Sequence, residues 1–477
     1  MITQEYNNQV VVDSTPKLDR VNIDELITQF EQAWALEEML MKSLAREDTF
    51  YINPDPLRNP LIFYLGHSAV FYINKLIRVG LLTQRINPEY EVLFEIGVDP
   101  STPEELEAAI KTIEWPEVKQ VWSYRDQAKE AIATAIRRAP LNLPIHQQHP
   151  LWAFLMGLEH SRIHFETSSM LIRQLPLRHL QRPSTWTYAP TTVCNVHLSR
   201  DMIRIPGGSV NLGKAQNDTT YGWDSDYGHR QVDVAPFWVS PFLITNQEFL
   251  AFVEAGGYNN PNYWSASAWE WVQYHQVKHP KFWQSPHITN DDGANSLEAV
   301  AKNSSYRYRA MFDEIDLPLD WPAEVNHYEA MAFCQWKGDG VRLLTEAEWN
   351  QILAIHGNTQ TEHSYNLDCR WGSPCVAGWS EQSPQTTQAE QEVKAEQVYD
   401  LRGNVWQWLA DPFAPLPGFQ PHYLYDDSSQ PFFDNQHYLM VGGSWASTGA
   451  YASAQCRNWF RPYFHQHVGF RIARDIA

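Results

Sequence analysis

The sequence predicts a protein of two domains, in which a helical bundle precedes an irregular α+β domain. In residues 1–185, apolar side chains recur at helical spacing over long stretches. After them the chain becomes rich in Gly, Pro, Trp and Asn, and its apolar runs shorten. A length of 477 residues also favours more than one core. We therefore place the domains at residues 1–185 and 186–477.

Four amphipathic segments define the predicted bundle: Asp24–Arg46, Leu61–Val79, Thr102–Ala139 and Leu151–Leu175. The third opens with Thr-Pro-Glu-Glu, which is typical of a helix N-terminus. Four long helices with connecting loops favour a four-helix bundle, a fold that builds metal sites from side chains on facing helices. Residues 178–192 are predicted to be a linker.

The second domain is predicted to contain short elements. Strands are expected at Met202–Ile205, Val232–Val239 and Tyr438–Val441, helices at Asn246–Ala255 and Ala323–Trp336, and an exposed polar excursion at Ser380–Gln397.

Charge and cysteine content exclude several classes of protein. The net charge of −20 disfavours nucleic acid and anionic membranes as partners, because both require a basic surface. No apolar run approaches the ~20 residues of a membrane span, and the N-terminus lacks a signal-peptide pattern. The five scattered cysteines suit reduced thiols. We therefore expect a cytoplasmic protein with small-molecule substrates.

Three histidines form a candidate metal site. His160 and His164 are four residues apart in one predicted helix, so they share a helix face, and His67 lies in another helix. Three neutral imidazoles suit Fe(II) and leave coordination positions for substrates, although Zn²⁺ fits equally well. The spacing of the pair alone is also compatible with two ordinary polar histidines of a bundle.

An ordered series of motifs in the second half carries a family resemblance. They are Ile205–Gly213, Ile244–Tyr258, Val341–Asn350, Asp400–Asp411, Val441–Trp445 and Gly469–Asp475. In this order they resemble the domain of the formylglycine-generating enzymes and the iron-dependent sulfoxide synthases. A helical domain with an HxxxH pair ahead of this module resembles the sulfoxide synthases of ergothioneine and ovothiol biosynthesis. The resemblance implies a DinB-like four-helix bundle followed by a formylglycine-generating-enzyme-like (C-type-lectin-like) α+β domain.

Within that family the sequence favours the ovothiol branch, the 5-histidylcysteine sulfoxide synthases. The segments that resemble this branch are Leu158–Pro176, Tyr221–Gly228, His422–Asp434, Gly442–Gly449 and Phe464–Arg471. The resemblance implies an Fe(II) enzyme that uses O2 to join L-cysteine to the imidazole of L-histidine. Ovothiol enzymes usually continue into a methyltransferase, whereas this sequence ends at Ala477. A separate methyltransferase is then expected to act on the product.

The ergothioneine branch, which uses hercynine, is the alternative. Arg457–Trp459 resembles that branch, in which an Asp and an Arg further along hold γ-glutamylcysteine. The corresponding stretch here, Phe460–Gln466, lacks the Asp, which favours free cysteine as the sulfur donor. The choice between histidine and hercynine stays open.

The resemblance also implies roles for single residues. His67, His160 and His164 would hold Fe(II), and the choice of iron over zinc rests on the resemblance alone. Tyr425, or else Tyr423, would supply a proton or hydrogen atom that steers the reaction towards C–S bond formation rather than sulfinate. For either tyrosine, the alternative is an ordinary packing role.

Substrate contacts are expected further along the chain. Asn458 and Trp459 would contact the imidazole substrate, and Arg461 would bind a substrate carboxylate or else form a structural salt bridge.

Glu159 or Glu166 would orient a ligand histidine, with a solvated or helix-pairing carboxylate as the alternative.

Two functions of other classes compete with this interpretation. A formylglycine-generating type of protein oxidase binds copper through paired cysteines, and Cys456 has no near partner in the sequence. A non-catalytic binding module could keep the fold alone. The intact set of three histidines argues against the second.

Overall fold

A computed structural model describes residues 15–95, 97, 100, 102–192, 200–285, 306–357, 366–378 and 397–476. Its helices are α1 Ile23–Met41, α2 Leu61–Arg78, α3 Pro88–Leu93, α4 Pro103–Ile110, α5 Val118–Arg138, α6 Leu151–Arg173, α7 Asn246–Glu254, α8 Ala266–His275, α9 His327–Lys337 and α10 Glu346–His356. Its strands are β1 Ile203–Ile205, β2 Gly208–Leu212, β3 Arg230–Val234, β4 Phe237–Val239, β5 Trp283–Gln284, β6 Arg307–Arg309, β7 Glu314–Asp316, β8 Val341–Leu343, β9 Trp406–Pro412, β10 Tyr438–Val441, β11 Asn458–Phe460, β12 Val468–Phe470 and β13 Ile472–Asp475. Almost all of the predicted excursion, residues 380–396, lies outside the described residues.

The predicted four-helix bundle is confirmed. It consists of α1, α2, α5 and α6, with α2 packed on α5 and α6, and α1 packed on the same two helices. Aromatic side chains of three helices meet in its centre, where the ring centroid of Phe30 lies 5.4 Å from that of Tyr72 and 6.1 Å from that of Phe154. Among the described residues, no helix combines the length and apolarity that crossing a bilayer would require.

The third predicted helix is in fact two helices. The Thr102 side chain accepts a hydrogen bond from the Glu105 N–H and begins α4, which ends at Ile110. Pro116 then interrupts the helical pattern, since proline lacks a backbone N–H and disfavours helical conformation at the residue before it. Helix α5 begins only after Glu117, which forms a capping box with Gln120.

Short strands and brief helices form the C-terminal domain, as predicted. One sheet has the order β1-β4-β13-β8 and another the order β11-β10-β9-β12. Helices α7, α9 and α10 each begin with a capping box. The single strand predicted over Val232–Val239 is two strands in different sheets, because Pro236 cannot donate to a ladder.

Helix α6 lies between the two parts of the protein and is buried along nearly its whole length. One hydrophobic core continues from the bundle to C-terminal residues such as Tyr221, Leu424 and Trp445. The predicted linker packs into this junction, since the Trp186 ring is only 5% exposed and its Nε1 donates to the Gly372 carbonyl at 3.1 Å. The apolar area of tryptophan explains why this segment does not extend into solvent.

A close approach beside His67 depends on a glycine. A Cβ added at Gly66 would lie 2.7 Å from the ring of Phe94, which is fully buried. The lack of a side chain at Gly66 therefore lets residue 94 pack directly on α2. Gly157 of α6 makes the same kind of approach to Tyr72 of α2.

We expect Gly66→Ala to lower the free energy of unfolding by about 1–3 kcal/mol through overpacking. A decrease would identify overpacking, because replacing glycine by alanine inside a helix ordinarily raises the free energy of unfolding by roughly 0.5–1 kcal/mol. Urea unfolding measures the change. Asp126→Ala, at an exposed position of α5, is the control and should stay within about 0.5 kcal/mol of the parent. A stabilised Gly66→Ala protein would contradict the prediction.

Candidate metal centre

The bundle brings His67, His160 and His164 together. His67 is in α2, and the other two residues are one turn apart in α6. The ring centroids of His160 and His164 are 4.4 Å apart, and that of His67 lies 4.9 Å and 4.6 Å from them. One nitrogen from each ring falls within 4.8 Å of the others. We call this set the histidine triad.

The free nitrogens of the triad fit a metal ion. Both ring nitrogens of His160 and Nδ1 of His164 are buried without a hydrogen-bond partner among the described residues. Buried polar atoms are rarely left unpaired, so such nitrogens indicate a missing partner. Nδ1 of His67 lies 2.6 Å from the Phe94 carbonyl oxygen, which can only accept. His67 therefore carries its proton on Nδ1, and its Nε2 lone pair is available for an ion.

Burial keeps all three imidazoles neutral. It lowers the pKa of His67 to about 4. It also lowers the pKa of His160 and of His164 well below the usual histidine value, and the neighbouring imidazoles add to the effect. Neutral imidazole is the form that binds a metal ion, so the triad is ready to bind one at neutral pH.

Aromatic rings enclose one side of the triad. The Phe71 ring stacks on His160 with centroids 3.6 Å apart and planes 7° apart, and the Phe63 ring stacks on His67 at 4.7 Å. These contacts fix the ring planes and remove water from around them. An ion bound here would act in surroundings of low polarity.

Glu159 and Glu166 do not orient the triad, contrary to the expectation from their sequence positions. They belong to a polar stripe of α6: Glu159, Arg162, Glu166, Ser169 and Arg173. At about 100° per residue, this stripe lies on the side of the helix opposite to His160 and His164. The candidate ligand whose ring is oriented directly is His67, through the backbone carbonyl of Phe94.

The polar stripe instead holds α6 against the C-terminal domain. Glu166 accepts hydrogen bonds from Trp406 Nε1 at 2.7 Å, Ser444 Oγ at 2.7 Å and Ser447 Oγ at 2.6 Å. Glu159 accepts from the Ala450 N–H at 2.9 Å. The two carboxylates are thus structural anchors between the domains.

Of the two candidate tyrosines, Tyr425 lies beside the triad. Its ring centroid is 6.1 Å from that of His160 and 5.1 Å from that of Phe71. Burial raises the pKa of Tyr425, so its hydroxyl stays protonated at neutral pH. Tyr423 is 46% exposed, and its ring packs on that of His422 at 4.8 Å.

The predicted substrate contacts lie in other surroundings. Asn458 Nδ2 donates to Tyr451 Oη at 2.6 Å. The Trp459 ring stacks on Phe432 with centroids 3.9 Å apart, in a separate hydrophobic cluster.

Arg461 lies away from the triad as well. Its Nη1 donates to Gln436 Oε1 at 3.2 Å. It lines a cavity of about 730 Å³ whose walls include none of the three histidines. The structure therefore brings Tyr425 to the triad but not Trp459 or Arg461.

Sequence reasoning missed three residues at or beside this site: Phe94, Phe71 and Lys75, whose Nζ lies 4.7 Å from the ring centroid of Phe71. Phe94 acts through its backbone, which leaves no signal in the sequence. Phe71 and Lys75 could have been found, because they follow His67 at intervals of four residues and so continue its face of α2.

Comparison with known proteins gives the family of the chain. Residues 190–476 match the sulfatase-modifying factor enzyme 1-like domain, which is more than half of the sequence. The chain belongs to this family. Residues 29–168 match the DinB superfamily, in agreement with the bundle. A DinB-like bundle therefore precedes a sulfatase-modifying-factor-like α+β domain.

Several characterised proteins are similar over much of the chain. The hercynine oxygenase of Mycobacterium tuberculosis is 30% identical over 280 residues, which cover 56% of this chain and 59% of that protein. The hercynine oxygenase of Mycolicibacterium thermoresistibile is 27% identical over 452 residues, 88% of this chain and 89% of that protein. Ergothioneine biosynthesis protein 1 of Neurospora crassa is 23% identical over 515 residues, 94% of this chain and 58% of that protein. The match thus spans little more than half of the first and third relatives.

We expect His160→Ala to abolish stoichiometric binding of Fe(II). Loss of one of three ligands should cost more than the ~10- to 100-fold in affinity that is lost with partners that only orient a ligand. Anaerobic titration with Fe(II), followed by metal analysis, measures the effect. His229→Ala, at an exposed position, is the control. Full metal loading of the His160→Ala protein would exclude the ligand assignment.

Proposed function

We propose that this family member is a non-haem Fe(II) oxidoreductase that uses O2 to join a cysteine sulfur to an imidazole carbon of hercynine. The observation that carries the proposal is the triad of neutral imidazoles, in which both ring nitrogens of His160 and Nδ1 of His164 lack hydrogen-bond partners among the described residues. The hercynine oxygenases among the relatives support hercynine as the acceptor. Free cysteine is proposed as the sulfur donor, because Phe460–Gln466 lacks the expected Asp.

The proposed reaction balances as a four-electron oxidation. The thiol S–H and the imidazole C–H bonds break, and a C–S bond forms with loss of two electrons. Oxidation of sulfur to the sulfoxide removes two more. One oxygen atom of O2 enters the sulfoxide, and the other leaves as water.

His67, His160 and His164 would hold the iron. Bound Fe(II) would supply a Lewis acid that lowers the thiol pKa of cysteine and a reductant for O2. The wall formed by Phe63 and Phe71 excludes water from the imidazoles. Tyr425 keeps a proton close to the reacting atoms, since burial raises its pKa.

A histidine acceptor is the second candidate. It is favoured by the segments that resemble the ovothiol branch, among them Leu158–Pro176 and His422–Asp434. Copper chemistry with paired cysteines is not favoured, because burial raises the thiol pKa of Cys334, Cys369 and Cys456 and so disfavours the thiolate form that binds a metal.

Product analysis tests the function. The Fe(II)-loaded protein is given air with L-cysteine and either hercynine or L-histidine, and the products are identified by mass spectrometry. We expect the hercynine sulfoxide conjugate to form with the higher kcat/KM. Preference for histidine would transfer the assignment to the second candidate. Absence of any C–S product from either acceptor, with γ-glutamylcysteine also tried as donor, would contradict the proposal.

We expect Tyr425→Phe to divert the reaction towards cysteine sulfinate. Loss of a positioned proton donor should slow C–S coupling by about 100-fold or more, while O2 consumption continues. The ratio of sulfinate to sulfoxide conjugate, measured by mass spectrometry, reports the change. Tyr423→Phe is the matched control and should keep the parent ratio. An unchanged ratio for Tyr425→Phe would remove this role from Tyr425.

A further inference from the structure

Close to the histidine triad lies a lysine that has no anionic partner at ion-pair distance in the part of the chain that the structure describes. Lys75 follows His67 and Phe71 at intervals of four residues on the same face of α2. Its Nζ lies 4.7 Å from the ring centroid of Phe71 and 4.8 Å from that of Tyr425. Phe71 in turn stacks on His160 at 3.6 Å. A single aromatic ring therefore separates the ammonium group from the triad.

This ammonium group differs from others in the bundle. Lys75 is half-buried, and over the described ranges it makes no hydrogen bond or ion pair within 4.0 Å. Lys42, in comparison, also lies over an aromatic ring, that of Trp122 at 5.5 Å, but it forms an ion pair with Glu38 at 2.7 Å. A half-buried lysine loses some of the water molecules that hydrogen-bond to its ammonium group. An acidic or polar partner usually replaces those hydrogen bonds.

Acidic groups around Lys75 do not serve as that partner. Burial lowers its pKa, and Glu95, Asp426 and Asp427 oppose this change from beyond ion-pair distance. The contacts with Phe71 and Tyr425 involve ring faces, which attract a cation but use none of its hydrogen bonds. All three ammonium donors therefore stay available for a ligand.

We propose that Lys75 binds the α-carboxylate of an amino-acid substrate and so selects amino acids over the corresponding decarboxylated amines. This inference rests on the proposed function, in which both substrates are amino acids with reacting side-chain atoms at the triad. A substrate that places its side chain there must direct its backbone groups outwards. Lys75 lies beside Tyr425 and one aromatic ring away from the triad, so the inference places the carboxylate at this position.

Binding measurements on the full-length, Fe(II)-loaded protein without O2 test the inference. Isothermal titration calorimetry compares L-cysteine with cysteamine, hercynine with N,N,N-trimethylhistamine, and L-histidine with histamine. For the anchored substrate, we expect loss of the carboxylate to weaken binding to the parent protein by about 10- to 100-fold. The pair that shows this difference identifies which substrate Lys75 holds.

Lys75→Met should remove the difference. Its Kd for the anchored amino acid should rise to that of the amine, while its Kd for the amine stays constant. Lys75→Arg should restore at least part of the selectivity, because it keeps the charge. Lys42→Met is the matched control and should bind like the parent. Circular dichroism checks that each variant is folded. If the Lys75→Met protein does not fold, Lys75→Gln takes its place.

Two results would overturn the inference. The first is an equal loss of affinity for amino acid and amine in Lys75→Met, which would mean that Lys75 only supports the packing of Phe71 and Tyr425. The second is unchanged selectivity. Failure of the proposed function gives a different result. If the protein forms no C–S product but still binds amino acids more tightly than amines through Lys75, the inference about Lys75 stands and only the proposed function is lost. A protein that forms product with no dependence on Lys75 loses only this inference.

Discussion

The burial of helix α6 is the constraint on which the rest of the structure depends. Nearly every residue of this helix is out of contact with solvent, yet it carries histidines on one side and charged groups on the other. A buried polar group is costly unless it is paired, so each side must find partners. The carboxylates of the charged side and Arg173 find them in the C-terminal domain, and Arg162 finds them in Glu159 and in Gln29 of α1. On the histidine side, both ring nitrogens of His160 and Nδ1 of His164 have no partner among the described residues, and an ion shared with His67 would supply one.

The charged side of α6 shows how complete this pairing is. Arg173 donates to Glu324 Oε1 at 2.8 Å, and Glu324 also accepts from Tyr308. Although burial opposes it, Arg173 together with His467 lowers the pKa of Glu324 to about 2. His467 also lies 2.8 Å from Ser169 Oγ through its Nε2. Breaking a buried network of this kind is costly, so α6 keeps one position relative to the C-terminal domain.

The sequence predicts the elements whose causes are local. Apolar spacing located the four bundle helices, and the four-residue interval placed His160 and His164 on one face. Prediction from apolar spacing failed where a proline interrupts a longer pattern, at Pro116 and Pro236. It also failed for Glu159 and Glu166, whose partners lie some 240 to 290 positions along the chain. No periodicity reveals such partners, and none reveals the backbone carbonyl that orients His67.

The anchoring of α6 has a consequence for engineering. The helix that carries His160 and His164 owes its position to donors from the other domain, namely Ser444, Ser447, Trp406 and Ala450. A chimaera that combined this bundle with the C-terminal half of a distant relative would deprive the buried Glu166 carboxylate of its three hydrogen-bond donors. Glu159 would lose the Ala450 N–H and keep only its ion pair with Arg162 of the same helix. Recombination within this architecture must therefore exchange α6 together with the C-terminal loops that bind it. A crossover point between residues 173 and 200 would separate α6 from those loops and should be avoided.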